Sequence, residues 1–470
     1  MENDLQTIIA LTLIGSFNVN GGCRVKNMLR LCAALFVMVL LLAAVVAAVN
    51  AFDEPLDANA AAMGEPRPSS VPEAHNGYLA LIAMGADDGA DSAAYAQAWL
   101  AEARAAAQEN RAEKQIEVKR AKRPDLCDAA HLSCLAVVQG QSSDISAKLE
   151  AYKEDLERYE KLIALRAYDE VLDYPFRVAS EFPKYAPLVA AQRAYLVRAA
   201  LAVEAGRIED ALTDVERDIA FQRVMLGSTR TLIGKMMVVA NYTRDLAFVA
   251  DLLQTTTADL KPFAPRLTEM LKPIAPATLS MDAALESEFG FVKHGYRNPI
   301  AAGFGVEGSP LETIAMRLFY KPNATINKFY GYHMQTVEML RKPPVVLARA
   351  GEKFIPTFEA WKFWDLIDNP MGKVMLRTEM PSYVLYALRL HDLDALNRLL
   401  GMGAEIIAAD VGAEGVADFV AKSAAHFYDP YTGKPMAWDA GTNQLSFKAS
   451  DALTKRKLFN RENGRVFLRM

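Results

Sequence analysis

Three groups of residues have the types and spacing that chemistry could use. Gly303, Gly305 and Gly308 form a G-x-G-x-x-G. A dinucleotide site needs such glycines between a buried strand and a helix, with an acidic residue about 20 positions on. The residues before them, Arg297-Asn-Pro-Ile-Ala-Ala302, carry no strand pattern, so a loop is expected and no cofactor. Cys127, His131 and Cys134 form C-x3-H-x2-C. Structural zinc takes four ligands, and no second cluster with suitable spacing occurs, so the expectation is a local Cys127–Cys134 disulfide and no metal. The third group is Asp282, Glu286 and Glu288, with His294 nearby. One carboxyl protonated in an apolar pocket could act as a general acid; the competing reading is a helix with solvent-facing acids.

The segment Ala284-Leu-Glu-Ser-Glu-Phe-Gly-Phe291 resembles the E-S-x-F neighbourhood of lytic transglycosylases, whose single glutamate protonates the glycosidic oxygen. The resemblance implies Glu286 as the acid, followed by Ser287. Glu288 stands where that family usually has Gly, and its G-L-M-Q segment is absent downstream. The remaining histidines, His75, His333, His391 and His426, form neither H-x3-H nor H-E-x-x-H, and there is no G-x-S-x-G elbow or P-loop. His333 after Tyr332 and His426 before Phe427 read as structural.

The elements that must position these residues are mostly helices. The 470 residues are 52% hydrophobic and 23% charged, with a formal net charge of -5. The basic residues are spread along the chain, so no nucleic-acid partner is expected. Alanine, leucine, glutamate and arginine dominate residues 91–260, which favours helix. The fold class expected is mainly α.

The most consequential element is the uncharged run 31–49, from Leu31 to Val49, LCAALFVMVLLLAAVVAAV. At about 1.5 Å per residue it just crosses a hydrocarbon core of about 30 Å. Arg24, Lys26 and Arg30 precede it; Asp53, Glu54 and Asp57 follow. The positive-inside rule then puts the N-terminus in the cytoplasm and the bulk of the chain outside it, in the periplasm of a bacterial inner membrane. A cleaved signal peptide, cut near Val49-Asn50-Ala51, is the competing reading, but its apolar region would span about 7–15 residues. Met28 opens an n-region of conventional form, so translation starting there is a further expectation.

Six segments follow: 1–27 cytoplasmic, 28–51 anchor, 52–74 a Pro- and Ala-rich tether, 75–175 helical with the C-x6-C loop, 176–425 helical, and 426–470 a β-rich cap. Asp91 is placed to cap a helix through Tyr95, Trp99 and Ala103. The mixed-charge run 109–123 reads as a solvated helical face. Ile145, Leu149, Tyr152, Leu156, Tyr159 and Ile163 recur at spacings of four and three, a helix packed on its own domain rather than a coiled coil. Phe354, Phe358, Trp361 and Trp364 form an aromatic stripe read as core. Between Ser382 and Leu400 the leucine spacing slips by one, so His391-Asp392 is a candidate break between two helices. Gln444-Leu-Ser-Phe-Lys448 alternates as a strand does.

Residues 190–220 read as a helical hairpin turning at Gly206. The G-R-x-E-x-A-L beginning there resembles the middle of one tetratricopeptide repeat, with Gly206 at the turn and Ala211 at the close-packing position. No second copy lies in register, and such solenoids need about three repeats. The resemblance implies a helical hairpin and a protein-binding groove. The function expected is a non-catalytic protein-interaction or envelope-scaffold role for a membrane-anchored protein with a protein partner in the envelope; the alternative is a peptidoglycan-active enzyme using Glu286.

Overall fold

Helix-forming composition becomes helix along most of the chain. The structure, a computed structural model, describes residues 21–127, 134–175, 177, 180–256, 259–299, 309–350, 354, 362–378, 382–450, 461–462 and 465–470. His131, the glycine motif at 303–308, Phe358 and Trp361 lie outside the described residues. In chain order the longer helices are α1 Gly21–Asn50, α2 Ser92–Gln108, α3 Ser142–Leu149, α4 Lys153–Ile163, α5 Tyr185–Glu204 and α6 Ile208–Ser228. They continue with α7 Leu232–Thr255, α8 Asp282–Arg297, α9 Pro310–Phe319, α10 Pro322–Leu340, α11 Pro370–Thr378 and α12 Val384–Ala408.

The chain divides into two units. One holds residues 1–56, 305–325 and 359–379. Its main element is α1, whose span Met28–Asn50 is long and apolar enough to cross a membrane. α9 packs on α1, and α11 packs on α9 and on the short helix Phe363–Leu366. Trp364, expected in a buried stripe, is 64% exposed here.

The other unit holds residues 57–304, 326–358 and 380–470. α5 and α6 form the expected hairpin, and α7 packs against α6 and α12. Gly206 turns the chain at φ 76°, a left-handed conformation that glycine adopts without the steric cost other residues meet. Ala211 is fully buried between the two helices. The break expected at His391-Asp392 does not occur. α12 is one helix because it is buried nearly all round, with Leu388, Leu390, Leu393, Leu396 and Leu399 all inside. A one-residue slip of the apolar phase costs nothing when every face is covered.

The periodic stretch 145–163 is three pieces, α3, the 3-10 turn Glu150–Tyr152, and α4. Ile145, Tyr152, Tyr159 and Ile163 all join the core of their own unit. Residues 112–125 are not helical. Instead Arg120 and Arg123 both pair with Asp155, which is 1% exposed, and Arg123 also reaches Asp88. Pairing with fixed carboxylates on other elements, and Pro124 beyond them, hold this run extended. Asp91 caps α2 as expected, accepting from the amides of Ala93 and Ala94.

The C-terminal cap is an antiparallel sheet, β1 Ala437–Asp439, β2 Gln444–Lys448, β3 Arg461–Glu462 and β4 Arg465–Arg469, in the order β1-β2-β4-β3. β2 pairs with β4 so that Leu445 faces Leu468 and Phe447 faces Val466. All four of these side chains are buried.

Residues 57–74, most of the stretch expected as a tether, are folded into the second unit. The helix Ala58–Ala62 buries Ala60, and Arg67 N–H donates to the Leu172 carbonyl. Lys293 on α8 is the clamp. Its Nζ, 3% exposed, donates to the carbonyls of Ala61 (2.8 Å) and Met63 (2.5 Å) and to Glu65 Oε1 (2.7 Å). Gly64 and Gly290 bring the two backbones together: a Cβ on Gly290 would lie 2.3 Å from the Gly64 oxygen.

Candidate binding cleft

A cleft of about 490 Å3 opens within the second unit. Its walls are the 274–282 turn leading into α8, the 340–344 turn after α10, and one side of α12. Four prolines, Pro276, Pro343, Pro344 and Pro430, line it with Leu279, Met281 and Leu340. Prolines fix φ and remove backbone donors, so the wall is stiff and poor in N–H groups. That volume is within the range of small-ligand and peptide side-chain pockets.

The polar groups of the cleft are arranged in pairs. Arg341 grips Asp282 with two bonds of 3.2 and 3.1 Å. On α12, Arg398 Nε and Nη2 both reach Asp394 Oδ2 at 2.8 Å, and Asp394 Oδ1 accepts from the Ile274 amide at 3.3 Å. Burial pushes the Asp394 carboxyl up, opposed by the Arg398 guanidinium. Burial, with Arg398 nearby, pulls the His391 imidazole down to about 4, so it is neutral at ordinary pH. Lys342, exposed at the rim, adds a cation with no ion pair among the described residues. A general base works best with a pKa near the operating pH; His391 is too weak a base for that.

The carboxylates singled out by spacing are drawn apart. Asp282 lines the cleft, whereas Glu286 pairs with Arg67 of the folded N-terminal segment. The hollow beside Glu286 and Ser287 holds only about 30 Å3, too little for a sugar ring. Glu288 is partly buried, accepts from the Leu232 amide, and is pushed up by burial. His294 lies eight residues from Glu286 on the same helix, about 12 Å along its axis, so the two do not form a pair. Burial and the cations Arg177 and Arg297 lower the His294 imidazole. Cys127 and Cys134 stand at disulfide distance, with Cα atoms 5.9 Å apart. Among the described residues no cluster of His, Cys, Asp or Glu could hold a metal.

Two buried acidic sites have no counterpart in the motif reading. Asp218 on α6 and Asp245 on α7 are both fully buried. Asp218 Oδ1 accepts from Tyr159 Oη (2.7 Å) and Gln222 Nε2 (2.9 Å), and Gln192 Nε2 donates to Asp245 Oδ1 at 2.9 Å. Burial raises both carboxyls, and for Asp245 the neighbouring Asp218 adds repulsion. Glu170, 1% exposed, accepts from the amides of Arg230 and Thr231 and from the Thr231 hydroxyl, and burial pushes it up to about 7. The signal was present for Asp218, which follows Leu212 and Val215 at core phase, one place before Ile219. A charge at a core position marks a partner elsewhere in the fold.

Compared with protein-family models, with curated proteins and with solved structures, the chain matches none.

Proposed function

We propose that the chain is a single-pass membrane protein of the bacterial envelope whose helical body binds a protein partner and performs no catalysis. The observation that carries the membrane part is Met28–Asn50, 23 residues that contain an 18-residue stretch of mean hydropathy 3.0 with almost none of its surface covered by protein. A soluble core helix of that hydropathy would be buried. Arg24, Lys26 and Arg30, before the uncharged run 31–49, favour a cytoplasmic N-terminus, with the body in the periplasm.

The cleft supplies the binding reading. Its apolar, proline-walled floor suits an apolar side chain, and Lys342 at the rim suits a carboxylate on the same peptide. The α5–α6 hairpin, with its tetratricopeptide-like turn, is consistent with protein binding. Glu286, tied to Arg67 beside a hollow of about 30 Å3, is poorly placed to protonate a glycosidic oxygen.

The test uses the full chain in its own membranes. A photo-crosslinking amino acid at Lys342 is expected to give one reproducible adduct that the same residue at Lys422, exposed elsewhere on that unit, does not give. Loss of the protein from membranes under alkaline carbonate would overturn the anchor. Absence of any Lys342 adduct would overturn the cleft. Release of soluble muropeptides from peptidoglycan, abolished by Glu286→Gln, would overturn the non-catalytic reading.

A further inference from the structure

Within the first unit the Asn50 end of α1 is built into a polar knot. Asn50 is 6% exposed. Its Nδ2 donates to the Ile367 carbonyl at 2.7 Å, and its Oδ1 accepts from the Asn369 amide at 2.8 Å. Three residues on, the Asp53 carboxylate accepts from the amides of Asn323 (2.6 Å) and Ala324 (3.1 Å) at the start of α10. Asn369 Oδ1 in turn accepts from the Lys321 amide at 2.9 Å. These bonds fasten Ile367 and Asn369, between the turn Phe363–Leu366 and α11, and the start of α10 to the end of the apolar helix, on which α9 also packs.

The level of that knot follows from α1 itself. Residues 28–45 are exposed throughout, and cover begins only at Val46. Eighteen residues at about 1.5 Å each span about 27 Å, close to the hydrocarbon thickness of a bilayer. The knot therefore stands where hydrocarbon gives way to headgroups.

The side chains left uncovered around it are the wrong ones for water. Phe52 is 82% exposed, Phe363 72% and Trp364 64%. On α9, Ile314 and Leu318 are exposed four residues apart, on one face, while Met316 is buried. Lys362, beside the aromatic pair, is exposed as well. Aromatic rings sit at membrane–water interfaces, and short apolar helix faces seat at the boundary of headgroups and acyl chains.

We propose that Phe52, Phe363, Trp364, Ile314 and Leu318 form an interfacial collar that seats in the leaflet around the Asn50 end of α1, with Lys362 meeting lipid phosphate. This rests on the anchor reading above. The occupant is lipid because the patch runs on from the bare surface of α1, which on that reading lies in lipid already. A collar of this kind fixes the depth and tilt of the anchor, which one unflanked helix leaves free.

The experiment reconstitutes the full chain, with Cys23→Ser and Cys32→Ser, in bilayers of phosphatidylglycerol and phosphatidylethanolamine. Single nitroxide labels are placed through Phe36→Cys, Phe363→Cys or Lys422→Cys, and relaxation by oxygen is compared with relaxation by a water-soluble nickel chelate. Phe36 reports the anchor and Lys422 reports water. The expected result is an oxygen-to-nickel ratio at 363 between those two, falling several-fold when Trp364→Ser and Ile314→Ser are added. A deep label at 36 with a label at 363 as nickel-accessible as at 422 would overturn the collar and leave the anchor standing. A label at 363 shielded from both reagents would mean protein cover, and would overturn lipid as the occupant. An aqueous label at 36 would overturn the anchor and the collar together.

Discussion

Asp245→Asn should make the protein more stable near neutral pH, and by an amount that grows with pH. Asp218 and Asp245 are fully buried side by side, and the neighbouring Arg244 cation only partly opposes the effect of burial on Asp245. Burial, and for Asp245 the adjacent Asp218, hold the Asp245 carboxyl well above its usual range. The folded chain thus keeps a proton that the unfolded chain releases above pH about 3.9. The unfolded state then binds fewer protons, so stability is complete below that pH and falls as pH rises, by about 1.4 kcal/mol per unit for one proton. The fall continues until the pH reaches the raised folded value, above which both states have lost the proton and the slope fades. Asparagine has nearly the shape of the protonated acid and nothing to ionise, so the variant escapes that slope. Its oxygen can still accept from Gln192 Nε2, as Asp245 Oδ1 does at 2.9 Å. Denaturant midpoints of the two proteins, followed by circular dichroism at half-unit steps from pH 5 to 7.5, should diverge steadily, the variant ahead at pH 7. Parallel profiles, or a variant weaker than the parent at pH 7, would refute the account of a protonated Asp245. Asp218→Asn should behave differently. It removes one of two oxygens in a carboxylate that serves Tyr159, Gln222 and Gln192, and the buried donors left short cost about 1–3 kcal/mol.

His333 is 1% exposed, both ring nitrogens lack a partner among the described residues, and its ring lies 5.2 Å from Phe289 and 5.7 Å from Phe329. Burial lowers its pKa to about 4, so stability is complete above pH 6.5 and falls toward pH 4; His333→Phe should remove about 2 kcal/mol of that loss between pH 6.5 and 5, read by thermal melting at each pH. Gly290→Ala forces a Cβ to 2.3 Å from the Gly64 oxygen, whereas Gly331→Ala on α10 meets nothing within 4 Å. The first should free residues 57–67 to protease and the second should gain about 0.5–1 kcal/mol, both checked by limited proteolysis and denaturant melts. Alkylation without reductant should leave Cys127 and Cys134 unlabelled, and their reduction should cost about 2–3 kcal/mol by the loop-entropy relation.

What could be read in the sequence was whatever has a period. The α5–α6 hairpin, the strand Gln444–Lys448 and the apolar span of α1 all follow from spacing, because burial on one face, or freedom from charge over a whole span, leaves a pattern in the chain. The aromatic stripe divides, because the same spacing describes a buried face and one turned to a different medium: Phe354 packs partly buried against the core, whereas Trp364 is exposed. The break expected in α12 failed for the opposite reason, since a helix buried on all sides has no phase to lose.

Polar pairing has no period, and every error about the charged segments traces to that. Arg120 and Arg123 looked like a solvated face because Asp155, their partner, stands about thirty residues away in the chain. Residues 57–67 looked like a tether because Lys293, which holds them, is more than two hundred residues on. Asn50 meets Ile367 and Asn369 across a longer separation still. Charge at a core phase is the one trace such pairings leave, as at Asp218 and Asp245. Where an acid interrupts an apolar face, the chain has either a buried partner or a retained proton, and the pH slope of Asp245→Asn distinguishes the two.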